Sequence, residues 1–139
     1  MKQYLFSYGT LQPDLAPAEI ASLVRKFRRV GRGYIHGFLY DFGDYPGAVL
    51  GKTQQRVWGQ VFVLPDDPEL LRQLDEYEEF DPSNLKHSQF VRQKCGAVLA
   101  TGRAIQAWVY VYNRPPGSAP RIENGDFARI PEVNRKSKG

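Results

Sequence analysis

Residues 56–79 read RVWGQVFVLPDDPELLRQLDEYEE and hold the two signals that decide the fold. Over 56–64 the side chains alternate, with Val57, Gly59, Val61 and Val63 on one face and Trp58, Gln60, Phe62 and Leu64 on the other. Apolar character on both faces predicts a strand in a sheet interior. Asp67 then stands as an N-cap before a first-turn proline, Pro68, and opens a helix through Leu70, Leu71, Leu74 and Tyr77.

Downstream, 90–99 and 104–112 are β-prone runs joined around Thr101 and Gly102, which predicts a hairpin. Upstream, Tyr4, Phe6 and Tyr8 alternate with Leu5 and Ser7 as a strand, which Gly9 breaks. Ile20, Leu23, Val24 and Phe27 have the one-face spacing of a second helix, with Asp14 and Pro17 near its start. Strands over 34–42 and 48–50 flank the turn-rich DFGDYPG at 41–47. The expected class is α+β: a curled, mainly antiparallel sheet or small β-barrel with two short α-helices. A chain of 139 residues fits a single domain over 1–134, followed by a basic flexible tail over 135–139.

With 42% hydrophobic and 24% charged residues, wholesale disorder and fibrous repeats are excluded. Nineteen basic against fifteen acidic residues leave a net charge of +4, too small to announce a nucleic-acid binder. One cysteine, Cys95, excludes an intrachain disulfide framework, and with only His36 and His87 beside it no metal or other cofactor is expected. The acids also lack the spacing of a calcium loop. The start of the chain, MKQYLFSYGTL, lacks a signal peptide's apolar run, and no run of 18 apolar residues occurs, so a soluble, cytoplasmic protein without membrane contact is expected. In oligomeric state we expect a monomer or weak homodimer.

The charges are unevenly placed. Over 66–81 there are eight acids and one arginine, whereas 25–32 carries Arg25, Lys26, Arg28, Arg29 and Arg32 with no acid. At about 100° per residue from Leu70, the helix has an apolar arc of about 120° bounded by Leu71 and Tyr77. Glu78 falls inside that arc, Asp75 borders it, and Glu76 and Glu79 point away, so one carboxylate is aimed at the core. Glu78 then has two readings. Desolvation beside the helix C-terminus would favour its protonated form and suit it to general base work; alternatively it lies past the helix end or forms a buried ion pair with an arginine such as Arg92. A second candidate is Tyr8, Gly9, Thr10 and Leu11, where a glycine after a strand lets successive N–H groups converge on an anion, or simply turns the chain.

Taken together, YGTL at 8–11, VWGQVF at 57–62 and LDEYE at 74–78 resemble the γ-glutamylcyclotransferase-like superfamily, and in particular its small AIG2-like members related to γ-glutamylamine cyclotransferase. YPG at 45–47, Phe90-Val91-Arg92 in place of the family's Tyr-x-Arg, and NGDF at 124–127 follow in the family's order. The resemblance implies a β-barrel-like α+β domain. It also implies an enzyme that cyclises a γ-glutamyl group to 5-oxoproline by intramolecular aminolysis, a carbon–nitrogen lyase type of reaction. Its partner would be a small-molecule γ-glutamyl substrate. By the same resemblance Glu78 is the catalytic acid/base, and Tyr8, Gly9, Thr10 and Leu11 bind the γ-glutamyl head; Tyr45 and Phe90 are candidates to line the pocket, although aromatic strand residues are more often core. The chain departs from the family at Glu79, where glycine is usual, and at Phe90, where tyrosine is usual.

The competing function class is a non-catalytic binding module that tracks phosphates through the basic run at 25–32, with Phe27 and Tyr34 interleaved. Cations at a helix end are also favoured by the helix dipole alone, which makes nucleic acid the weaker expectation.

Overall fold

A computed structural model of the chain describes residues 2–9, 11 and 16–127. The described elements run β1 (Tyr4–Ser7), α1 (Ala18–Val24), β2 (Arg28–Asp41), β3 (Pro46–Leu50), β4 (Arg56–Val63), α2 (Pro68–Tyr77), a 3-10 turn (Leu85–His87), β5 (Phe90–Leu99) and β6 (Ala104–Tyr112). The tail expected over 135–139 lies outside the described residues, as does Asp14.

The strands follow the order β3-β2-β4-β1-β6-β5, and β5 returns to β2, so β2, β4, β1, β6 and β5 close a five-stranded barrel with β3 appended to β2. Neighbours are antiparallel except β1 and β6, which are parallel with Leu5 opposite Trp108. Closure rests on Gly33 opposite Leu99 and Tyr34 opposite Val98. Gly33 also faces Gly59 across β2 and β4. A Cβ on Gly33 would come within 2.7 Å of the Val98 carbonyl oxygen, and one on Gly59 would fall on the Ser7 carbonyl. Two facing glycines thus let backbone replace side chain where the barrel bends most tightly.

Alternation sorts the side chains. Phe6, Ile35, Leu39, Val57, Val61, Val109 and Val111 fill the barrel together with Phe127. Leu5, Phe62 and Leu64 face outward and are covered by Ile20 and Val24 of α1 and Leu70 and Leu74 of α2. The helix α2 begins as its sequence predicts, with the Asp67 side chain accepting from the Glu69 N–H at 3.0 Å and Pro68 in the first turn.

Two expectations need correction. The basic run does not end a helix: α1 stops at Val24, and Arg28, Arg29 and Arg32 lie on β2, which starts six residues before the expected 34 (34 − 28 = 6). The helical spacing that includes Phe27 is accidental, since Phe27 is buried beyond the helix against Phe62. The strand extends because β4 offers it a partner edge over this stretch, from Arg28 opposite Val63 to His36 opposite Arg56. The NGDF segment plugs the barrel: Gly125 O accepts from Trp58 N–H at 2.7 Å, and Asp126, 5% exposed, accepts from Arg32 at 2.9 Å.

Candidate active site

The chemistry gathers at the end of α2. Glu78 is its C-cap, with its N–H donating to the Leu74 carbonyl at 3.0 Å, and the residue is 1% exposed. Glu79 follows at φ 60°, the left-handed region. The N–H of Glu79 donates to the Glu76 carbonyl at 3.1 Å and that of Phe80 to the Asp75 carbonyl at 2.8 Å. This pair of bonds is a Schellman motif, whose left-handed residue is usually glycine. Glu79 therefore occupies a glycine position by geometry, at a cost of about 1–2 kcal/mol, and the motif still delivers Glu78 to the interior.

The Tyr8 ring, 6% exposed, ends β1 inside the barrel; its hydroxyl donates to the Tyr110 carbonyl at 2.6 Å and accepts from the Ala48 N–H at 3.1 Å. Burial first, and then the charge of Glu78, push the Tyr8 hydroxyl well above its ordinary range, while the Ala48 N–H pulls it down. The Tyr110 hydroxyl is likewise raised, first by burial and then by Asp75, with a smaller push from Glu78. Glu78 is among the causes that raise both phenols, behind burial in each case. Of the remaining candidates, Gly9 and Leu11 are buried, Leu11 in the same cluster as Leu74, Phe90 and Tyr110. Thr10 lies outside the described residues. Phe90 is fully buried and meets Tyr45 edge-on at 5.7 Å; Tyr45 in turn receives a hydrogen bond from the Gln89 side chain.

The inner face of α2 carries two carboxylates, not the single one that the wheel selects. Asp75 is 7% exposed; Arg92 of β5 donates to it through Nε at 2.8 Å and Nη2 at 3.1 Å, and the Tyr110 hydroxyl donates to Oδ1 at 2.7 Å. Arg92, offered by the sequence as a partner for Glu78, binds Asp75 instead. Removing either member leaves a buried charge, at a cost of about 3–5 kcal/mol. Asp75 at the border of the apolar arc was the available signal, but the arginine that draws it inward comes from another strand.

The other reactive side chains lie elsewhere. Cys95 sits mid-strand on β5, its thiol pushed up to about 11 by burial. His36 and His87 are exposed. Among the described residues no group of three or more His, Cys, Asp or Glu could hold a metal ion, and no helix is long and apolar enough to cross a membrane.

A barrel with two helices is the fold that the resemblance implies. The sequence profile of the family described as gamma-glutamyl cyclotransferase, AIG2-like, matches residues 5–129, and the chain belongs to that family. It is 33% identical over 89 residues to the gamma-glutamylcyclotransferase family protein YtfP of Escherichia coli strain K12, a stretch covering 64% of this chain and 66% of YtfP, just under two thirds of that relative's length. The crystal structure of an AIG2-like protein from Mus musculus superposes with a TM-score of 0.73 at 20% identity, over 97% of this chain and 95% of that one. YkqA from Bacillus subtilis superposes with a TM-score of 0.69 at 18% identity, over 96% of this chain but 42% of YkqA.

Proposed function

We propose that the protein is a γ-glutamyl cyclotransferase that converts the γ-glutamyl group of a small γ-glutamyl amine or peptide to 5-oxoproline and releases the amine, with Glu78 as general acid and base. The observation that carries this reading is Glu78 itself, a carboxylate 1% exposed that the left-handed cap after α2 delivers to the interior. The substrate's α-amine, with a pKa of about 8, is mostly protonated at neutral pH and must lose a proton before it attacks its own γ-carbonyl. The ammonium gives that proton to solvent, and Glu78 then takes a second proton from the attacking nitrogen as the ring C–N bond forms. It returns the proton to the departing nitrogen as the original amide C–N bond breaks, so atoms and charges balance. The attack is intramolecular, and holding the chain bent is the protein's main task. Backbone N–H groups over Gly9, Thr10 and Leu11 hold the α-carboxylate, and Tyr45 and Phe90 wall the pocket. A single cysteine fits a reducing compartment, and we place the protein in the cytoplasm.

The nucleic-acid alternative has less support. Of the basic run, Arg29 donates to Gln60 at 3.0 Å and Arg32 is held by Asp126.

The test is 5-oxoproline release from a panel of γ-glutamyl amines and dipeptides, by the native protein and by Glu78→Gln. General acid–base catalysis contributes roughly 10²–10⁴-fold, and kcat/KM should fall by that factor in the variant. Full activity in Glu78→Gln would remove Glu78 from the mechanism; no product from any substrate would remove the activity.

A further inference from the structure

We infer that Asp75 and Arg92 are positioning residues for Glu78: the Arg92 guanidinium neutralises Asp75, so that Glu78 does not share its buried face of α2 with a second net negative charge. The inference takes the proposed role of Glu78 as its premise for catalysis, but the charge relation between these residues can be measured without turnover.

Asp75 and Glu78 are three residues apart on one helix and are both buried, at 7% and 1% exposure. That spacing puts their side chains on the same face. Two carboxylates so placed repel one another when both are charged. Here both oxygens of Asp75 are engaged by Arg92, at 2.8 and 3.1 Å, and Oδ1 also by Tyr110 at 2.7 Å. The chain of contacts is continuous: Tyr110 bonds Asp75 with its hydroxyl and Tyr8 with its carbonyl, and both phenols feel Glu78. Among the described residues, Tyr8 of β1 and Tyr110 of β6 are raised in part by Glu78, Asp75 and Glu79 neighbour it on α2 and its cap, Arg92 of β5 reaches the same helix face through Asp75, and Tyr45 packs against the same cluster. Arg92 is the cation among them. Its guanidinium also lies 4.3 Å from the Trp108 ring centroid, which fixes it from the outer side.

A plain structural staple between α2 and β5 would hold the helix in place without setting the ionisation of Glu78. The two roles separate in a carbon-13 NMR titration of carboxyl-labelled glutamates, with the Glu78 signal assigned by its loss in Glu78→Gln. In Asp75→Asn the positive charge of Arg92 is no longer offset on this helix face, and the Glu78 midpoint should move to lower pH by at least about tenfold in proton affinity. In Arg92→Gln it should move to higher pH by a similar factor, whereas Arg92→Lys, which keeps the charge, should stay close to native. The acid limb of the kcat/KM profile should move with each midpoint. If Arg92→Gln does not fold, the nearly isosteric Asp75→Asn carries the test. A Glu78 midpoint within about twofold of native in folded Asp75→Asn would overturn the inference. Full activity in Glu78→Gln alongside shifted midpoints would sink the catalytic reading and leave the charge relation standing.

Discussion

The Tyr8 hydroxyl donates to the Tyr110 backbone carbonyl at 2.6 Å, joining the end of β1 to β6 from inside the barrel. The same oxygen accepts from the Ala48 N–H of β3 at 3.1 Å, so one phenol ties three strands together. The hydroxyl of Tyr110 in turn reaches Asp75.

Burial of the Tyr8 and Tyr110 phenols makes stability depend on alkaline pH. Both Tyr8 and Tyr110 hold their protons above the ordinary tyrosine value of 10.0, chiefly because they are buried. Above that pH the unfolded chain releases protons that the folded chain keeps, so stability is fully present below pH 10 and is lost as pH rises beyond it. The slope should reach about 1.4 kcal/mol per pH unit for each of the two groups. Urea melts from pH 8 to 11 should show the fall, and Tyr8→Phe, destabilised at neutral pH by about 1–3 kcal/mol, should show a shallower one. A midpoint constant across that range would contradict the placement of both rings.

Glu79→Gly should stabilise the protein. The residue sits at φ 60° in the Schellman motif after α2, where glycine avoids the Cβ clash. A gain of about 1 kcal/mol in urea denaturation is expected, and none from Glu79→Ala, which keeps the Cβ. Destabilisation by glycine would show that the Glu79 side chain itself fastens the turn.

Cys95 should be a slow nucleophile. Its thiol is moved from 9.0 to about 11, which lowers the thiolate fraction at pH 8 about a hundredfold. Iodoacetamide labelling of the folded protein, followed by mass spectrometry, should lag a free thiol by a comparable factor. Labelling at the rate of a free thiol would contradict the burial.

Local pattern carried much of this far. The strands over 90–99 and 104–112 and the Asp67 cap stand where the sequence puts them, because alternation, hairpin glycine and capping are contact rules between near neighbours. The same rules misplace 28–32, since the three arginines there say nothing about the β4 edge that turns them into a strand. Nor does any local signal show that β5 returns to β2 at Gly33 and closes the barrel.

The sequence by itself determined that Glu78 lies on the inward arc of a capped helix and that a glycine turn follows the first strand, because helical and strand periods are short-range properties of the backbone. Which arginine answers which carboxylate was decided only in three dimensions. Arg92 meets Asp75 rather than Glu78 because the register of β5 against α2 sets which charges come within 3 Å, and residues 17 apart in the chain share no periodicity that could encode it.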